Sequence, residues 1–282
     1  MLWNIFVSFL FGIVEGITEW LPVSSTGHMI LLNALINFDV SASFYDVYEV
    51  VIQLAAILAV VIYFWKKLWP LYRNKNNEIK CNPDTLLLWA KIIVACIPAA
   101  IIGVLFDDIF NELFYKPGWV AIALIVFGVA FILVEKYREG KENKVVSIKQ
   151  LSFQYAIYIG LFQVLAAIFP GTSRSGATII GALLLGVARN VAAEFTFYLA
   201  IPVMAGASLL KLLKFEGTFT SNELILLLVG CLTAFVVSLL VIKKFMAFVR
   251  NHSFSSFGIY RIILGILVLV YFGFKGILWM GM

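Results

Sequence analysis

Two carboxylates four residues apart, Glu15 and Glu19, stand in an otherwise apolar stretch, GIVEGITEWLP. On a helix that spacing places them on one face, a turn apart. A carboxylate in hydrocarbon costs about 3 kcal/mol on insertion scales, and two on one face also repel, so something positive must answer them. A divalent metal held by both, a shared proton, or an arginine from elsewhere in the chain would each serve. Pro22 then stops the helix, and Ser24, Ser25, Thr26, Gly27 and His28 follow. A loop of hydroxyls and glycine feeding a new helix is a ready anion site, because free backbone N–H groups and the positive end of the helix dipole face the ligand. His28 can transfer a proton, or attack phosphorus, near neutral pH.

A second such run is Pro170-Gly171-Thr172-Ser173-Arg174-Ser175-Gly176. It adds an arginine, whose permanently charged guanidinium forks onto two phosphate oxygens and also offsets nearby glutamates. Neither run is a Walker A motif, since no Lys-Ser/Thr follows. Together the two runs carry the residue types for phosphoryl chemistry. Ser25 activated by His28 as base, and His28 itself polarised by a glutamate, both satisfy the requirements of a nucleophile. Glu194, Gln53 and Arg261 are candidates for a supporting layer.

The elements that must position these residues follow from composition. Of 282 residues 62% are apolar and only 13% charged, with 21 Lys+Arg against 16 Asp+Glu. Soluble domains run at about 25% charged, so there is too little polar surface here to coat a water-soluble globule. Six apolar runs, 47–65, 85–106, 118–134, 192–213, 222–242 and 260–280, are long enough to cross a bilayer. Regions 2–36 and 151–188 are apolar but broken at their centres by the two motif runs, and a broken helix cannot face lipid. The expected fold is an all-α polytopic membrane protein forming a single integral domain over 1–282.

Loop charges set the expected orientation. Bases gather in 66–84, 135–150 and after 242, which the positive-inside rule makes cytoplasmic, whereas 37–46 and 107–117 are acidic and belong outside. The net charge of +5 therefore describes orientation, and a nucleic-acid partner is not expected. With six crossings, both broken regions must return to the side they left. That predicts two re-entrant helical hairpins, 2–36 and 151–188, entering from opposite faces. Their tips would meet near the midplane, the usual place for a site in inverted-repeat membrane proteins. GIVEGITEWLP and GLFQVLAAIFP match in length, with Gly12 against Gly160, Glu15 against Gln163 and Pro22 against Pro170. The expected repeats are 1–134 and 151–282. Cys81, Cys96 and Cys231 are odd in number and widely spaced, so no disulfide framework is expected.

GIVEGITEWLPVSSTGH, FPGTSRSGAT, YEVVIQLAAILAVVIYFW and AEFTFYLAIPVMAGA resemble the bacterial undecaprenyl-diphosphate phosphatase family, which is also known for bacitracin resistance. The resemblance implies an integral enzyme of the cytoplasmic membrane that removes the terminal phosphate of undecaprenyl diphosphate and so regenerates the monophosphate carrier for cell-wall polymers. The family's Glu/Gln-x-x-x-Glu motif falls on Glu15 and Glu19. Its Ser-Ser-Thr-Gly-His element falls on Ser24 to His28, and its Pro-Gly-x-Ser-Arg-Ser-Gly element on Pro170 to Gly176. The resemblance also implies a divalent cation (Mg2+ or Ca2+), a homodimer among membrane lipid, and a site open to the extracytoplasmic face. On that basis Glu15, Glu19, Ser25, His28 and Arg174 are the expected catalytic residues, with Glu15 and Glu19 as the metal ligands. Ser24, Thr26, Gly27, Thr172, Ser173 and Ser175 are expected to bind phosphate. The rival reading is a carrier or flippase of a polyprenyl phosphate lipid on the same architecture.

Overall fold

The computed structural model describes residues 1–36, 38–75, 77–215 and 217–280, with residue 107 described by its backbone alone. In chain order the helices are α1 (Leu2–Thr18), α2 (Ser25–Leu35), α3 (Ala42–Tyr63), α4 (Trp65–Leu68), α5 (Pro83–Phe114), α6 (Pro117–Arg138), α7 (Phe153–Ile168), α8 (Arg174–Leu184), α9 (Arg189–Lys214), α10 (Ser221–Phe248) and α11 (Ser255–Phe274). Six of them, α3, α5, α6, α9, α10 and α11, are long and apolar enough to cross a membrane. They fall on the six expected apolar runs. Among the described residues the only strands lie in the basic loop 66–84, where β1 (Leu71–Arg73) and β2 (Ile79–Cys81) pair antiparallel, Tyr72 opposite Lys80, and a single parallel bridge joins Val145 to Val187.

Local chemistry explains the boundaries. Pro83 and Pro117 open α5 and α6 at positions where the missing N–H costs nothing. Thr220 and Glu223 form a reciprocal capping box at the start of α10. The two interrupted regions are each two helices: α1 and α2 are parted by residues 19–24, and α7 and α8 by 169–173. At 17, 11, 16 and 11 residues these four are shorter than the roughly 20 that a hydrocarbon core needs.

The short helices are wedged among the long ones. α1 packs on α10 and α7 on α5, while α6 packs on α11 and α3 on both α9 and α10. Close backbone approach at the first two contacts requires glycine. A Cβ on Gly12 would stand 2.7 Å from the Gly230 carbonyl oxygen, and one on Gly160 would overlap the Ala95 carbonyl. The two glycines matched in the sequence therefore do the same work in different helix pairs. α8 lies against α6, α7 and α9, and is buried along most of its length.

Candidate active site

The two broken loops share a backbone. Ser24 and Ser173, the residues before α2 and α8, hold φ of 73° and 67°, in the left-handed region that favours glycine. Each hydroxyl oxygen accepts the N–H three residues on, from Gly27 at 3.3 Å and from Gly176 at 3.2 Å. A non-glycine residue held there costs about 1–3 kcal/mol, so the surrounding packing fixes it. The turn leaves Ser25 as the first residue of α2 and Arg174 as the first of α8, in equivalent places.

Glu19 joins them. It caps the C-terminus of α1, and its carboxylate accepts from Arg174 Nη2 at 2.8 Å through Oε1 and from Ser25 Oγ at 2.8 Å through Oε2. The ion pair is enclosed, with side chains 12% and 10% exposed. Arg174 Nη1 donates to the Thr196 carbonyl on α9 at 2.9 Å, and Nη2 also meets Met204 Sδ at 3.7 Å. An arginine from the other loop, one of the three expected ways to answer the glutamates, is in place, and it answers Glu19. Glu15 is buried, and neither of its oxygens meets a hydrogen-bond donor.

Arg261 on α11 ties the loops. Fully buried, it donates Nη1 to the Pro22 carbonyl at 3.2 Å and Nη2 to the Gly171 and Thr172 carbonyls, both at 2.9 Å. Ser175 Oγ adds a longer bond to the Leu21 carbonyl, 3.5 Å, and lies 3.0 Å from Ser173 Oγ. The Thr172 hydroxyl is buried without a partner. Thr26 is half-buried on the first turn of α2, and Gly27 packs on Leu124.

His28 is turned another way. Its Nδ1 lies 2.7 Å from the Ser24 carbonyl and its Nε2 2.8 Å from the Tyr260 hydroxyl, and the two rings stack 8° from parallel. A carbonyl only accepts, so Nδ1 carries the proton and Nε2 accepts from Tyr260. Ser25 thus donates to Glu19 and not to His28. Tyr260 and the Thr196 carbonyl are the partners that sequence reasoning missed. No motif marks them, and a backbone acceptor leaves no trace in residue type. Among the other candidates, Glu194 accepts from Lys67 at 2.7 Å and from Tyr198 at 2.6 Å, away from the loops.

The constellation is a hydroxyl hydrogen-bonded to a carboxylate, beside a guanidinium, at two facing helix N-termini. A family model described as bacitracin resistance protein BacA matches residues 8–267. The chain belongs to that family. Relatives named undecaprenyl-diphosphatase cover nearly all of it. One from Desulfitobacterium hafniense is 56% identical over 275 residues, 98% of each chain. One from Clostridium acetobutylicum is 56% identical over 261 residues, 93% of this chain and 94% of its own. One from Enterococcus faecalis is 53% identical over 260 residues, 92% and 94%. Every motif residue of the two BacA loops considered above lies within the matched range.

Proposed function

We propose that this chain hydrolyses undecaprenyl diphosphate to the monophosphate carrier lipid and inorganic phosphate, with the diphosphate seated where α2 and α8 begin. The observation that carries the site is Glu19 shared between Ser25 and Arg174. Phosphoryl transfer spreads charge over the equatorial oxygens, so placed donors and cations matter more than unusual covalent chemistry. Arg174, the first two amides of each helix, which the serine caps leave untaken, and the unpartnered Thr172 hydroxyl would hold those oxygens. Ser24, Ser173 and Ser175 keep the loops in shape, and Thr26 and Gly27 line the first turn.

In this reading Ser25 Oγ attacks the terminal phosphorus and its proton passes to Glu19. The bond from that phosphorus to the bridging oxygen breaks, and the lipid leaves as monophosphate. Water then attacks the phosphoserine, returning the serine hydroxyl and releasing phosphate. His28, fixed by Ser24 and Tyr260, is an orienting group beside the substrate rather than the base for Ser25. Trapping checks the assignment: phosphate on serine survives acid, whereas phosphate on His28 would be acid-labile and alkali-stable, and would overturn it.

A divalent cation fits this residue set through Glu15. Both Glu15 oxygens are buried without donors, while both Glu19 oxygens are engaged, and no group of three or more metal-ligating side chains occurs among the described residues. One free carboxylate suits a hard cation that takes its other oxygens from substrate phosphates and water. Such a cation, bound by Glu15 with Glu19 nearby, would neutralise phosphate charge during transfer.

The finer architecture belongs to the same proposal. Regions 2–36 and 151–188 form re-entrant hairpins of an inverted repeat. Matched Gly12 and Gly160, the shared φ of Ser24 and Ser173, and the parallel packing of α1 on α10 and α7 on α5 support it. The basic loops would face the cytoplasm and the site would open outward in the bacterial cytoplasmic membrane. A homodimer is taken over from the family resemblance, and cross-linking in the membrane tests it. For the activity itself, purified chain should release inorganic phosphate from a C55 or C15 diphosphate. Lipid translocation into vesicles without phosphate release would refute it.

A further inference from the structure

The two loops do not use most of the chain's bases, and these are not spread evenly. In loop 66–84 two of the five bases meet acids, Lys67 with Glu194 and Lys80 with Glu78, and Asp84 takes Lys149 from the neighbouring loop. A different arrangement surrounds a hollow of about 310 Å³ where the end of α6, the following turn, the start of α9 and the α10–α11 connection converge. Arg138, Lys141, Arg189 and Arg250 line it, each from a different one of these segments, against Glu135 and Glu139.

Glu135 neutralises one member of this set, Arg189, and Glu139 stands exposed at the rim. The buried Glu135 carboxylate is taken up by Arg189, through Nε and Nη2, and by the Phe254 N–H at 2.8 Å. Arg189 keeps Nη1, and its side chain stays 42% exposed. Arg138 is held in place by the Glu142 carbonyl at 2.8 Å and Asn143 Oδ1 at 3.3 Å, both through Nη2, and its other N–H groups make no hydrogen bond among the described residues. Lys141 lies over the Tyr137 ring and makes no ion pair among the described residues. Arg250 makes no ion pair or side-chain hydrogen bond among the described residues. The general excess of bases on this face accounts for their number. It does not account for four of them, from four segments, lining one hollow against two acids, of which the buried one is already spent on Arg189.

We infer that this hollow is a second anion site, separate from the candidate active site, and that it takes the phosphodiester headgroup of an acidic membrane lipid. Basic pockets between membrane helices at the level of the headgroups are the usual receptors for such groups. The volume is at the lower end of small-molecule sites, enough for a phosphate with a short polar substituent. Free phosphate presents the same chemistry and is the other source of the anion. Occupation would bridge α6, α9 and the α10–α11 connection.

The test uses the full chain in bilayer discs of phosphatidylcholine, alone or with phosphatidylglycerol, and a Lys141→Gln/Arg250→Gln variant that leaves the Glu135–Arg189 pair intact. Phosphatidylglycerol should bind the unaltered chain in preference to phosphatidylcholine. The variant should bind it roughly 30-fold more weakly, as expected for two juxtamembrane bases removed. Release of phosphate from a C15 diphosphate should stay within twofold, since neither residue touches the candidate active site, and this also reports folding. If the double variant does not fold, Arg250→Gln alone should weaken binding by several-fold. Displacement of the lipid by inorganic phosphate would support the site with the free anion as its occupant. Equal retention of both lipids, or equal phosphatidylglycerol binding by chain and variant, would overturn the inference.

Discussion

Glu19→Gln tests the arrangement most directly, because one carboxylate serves two donors 2.8 Å away on opposite sides. An amide has one acceptor oxygen and one NH2 group. Facing its NH2 to a guanidinium is repulsive, so the oxygen goes to Arg174 and the NH2 to Ser25. The Ser25 hydrogen bond then reverses: the hydroxyl accepts where it used to donate, and no base remains for its proton. Arg174 keeps an acceptor, now neutral, and a charge-assisted bond weakens to an ordinary one, a loss of about 1–2 kcal/mol that a folded chain tolerates. Turnover should fall much further, by about 10²–10⁴-fold, the usual contribution of a positioned general base. Because Glu19 acts through Ser25, the losses should not add. Once Ser25→Ala is in place, Glu19→Gln should cost less than tenfold more. The assay is phosphate release from a C15 diphosphate in detergent, followed over hours for the slow variants, with thermal unfolding as the control for fold. Glu19→Gln retaining a third or more of turnover, or losses that multiply in full, would refute the assignment of Glu19 as the base for Ser25.

Other expectations are independent of that cycle. Arg174→Lys should fold and lose about 100-fold or more in turnover, since one ammonium cannot reach both Glu19 and the Thr196 carbonyl and still present a fork to phosphate; near-normal kcat would remove the clamp. Tyr260→Phe keeps the stacked ring but frees His28 Nε2, so acylation of His28 by an imidazole reagent should speed up several-fold; an unchanged rate would show that the hydroxyl does not hold the ring. Gly160→Val should destabilise the chain by about 1–3 kcal/mol, read as a lower unfolding temperature, because its side chain runs into the backbone of α5. An impermeant thiol reagent should leave exposed Cys81 unmodified from outside whole cells and modify it in inverted vesicles; labelling from outside would reverse the topology.

The crossings and the breaks between them were readable in the sequence because both depend on residue type along the chain. Apolar length marks α3, α5, α6, α9, α10 and α11, and proline marks the ends of α1 and α7, with glycine beside it at α7. The need for a cation near the glutamates followed from the cost of burying them, and Arg174 meets it, at Glu19 rather than at Glu15. What could not be read is which way a side chain turns. His28 follows Ser25 by three residues, yet it faces α11 and not the serine, because the Ser24 carbonyl and Tyr260 take both ring nitrogens. Arg261 drew attention as a charge within an apolar run, but its partners are three carbonyls, and carbonyls are the same at every position.

That buried guanidinium has a mechanical consequence. Pro22 lies in the first half of the chain and Gly171 and Thr172 in the second, and all three are tied to one side chain on α11. Charge-assisted bonds of this kind contribute about 1.5–3 kcal/mol each, and more where no water replaces them. A carrier that exposed its cargo to alternate sides by rocking one half against the other through this plane would have to undo the bond from Arg261 to Pro22, along with the Glu19–Arg174 pair, on every cycle. Arg261 works as a rivet: one side chain holds the loop at Pro22 to the loop at Gly171 and Thr172, and the proposed hydrolysis does not require that hold to be released.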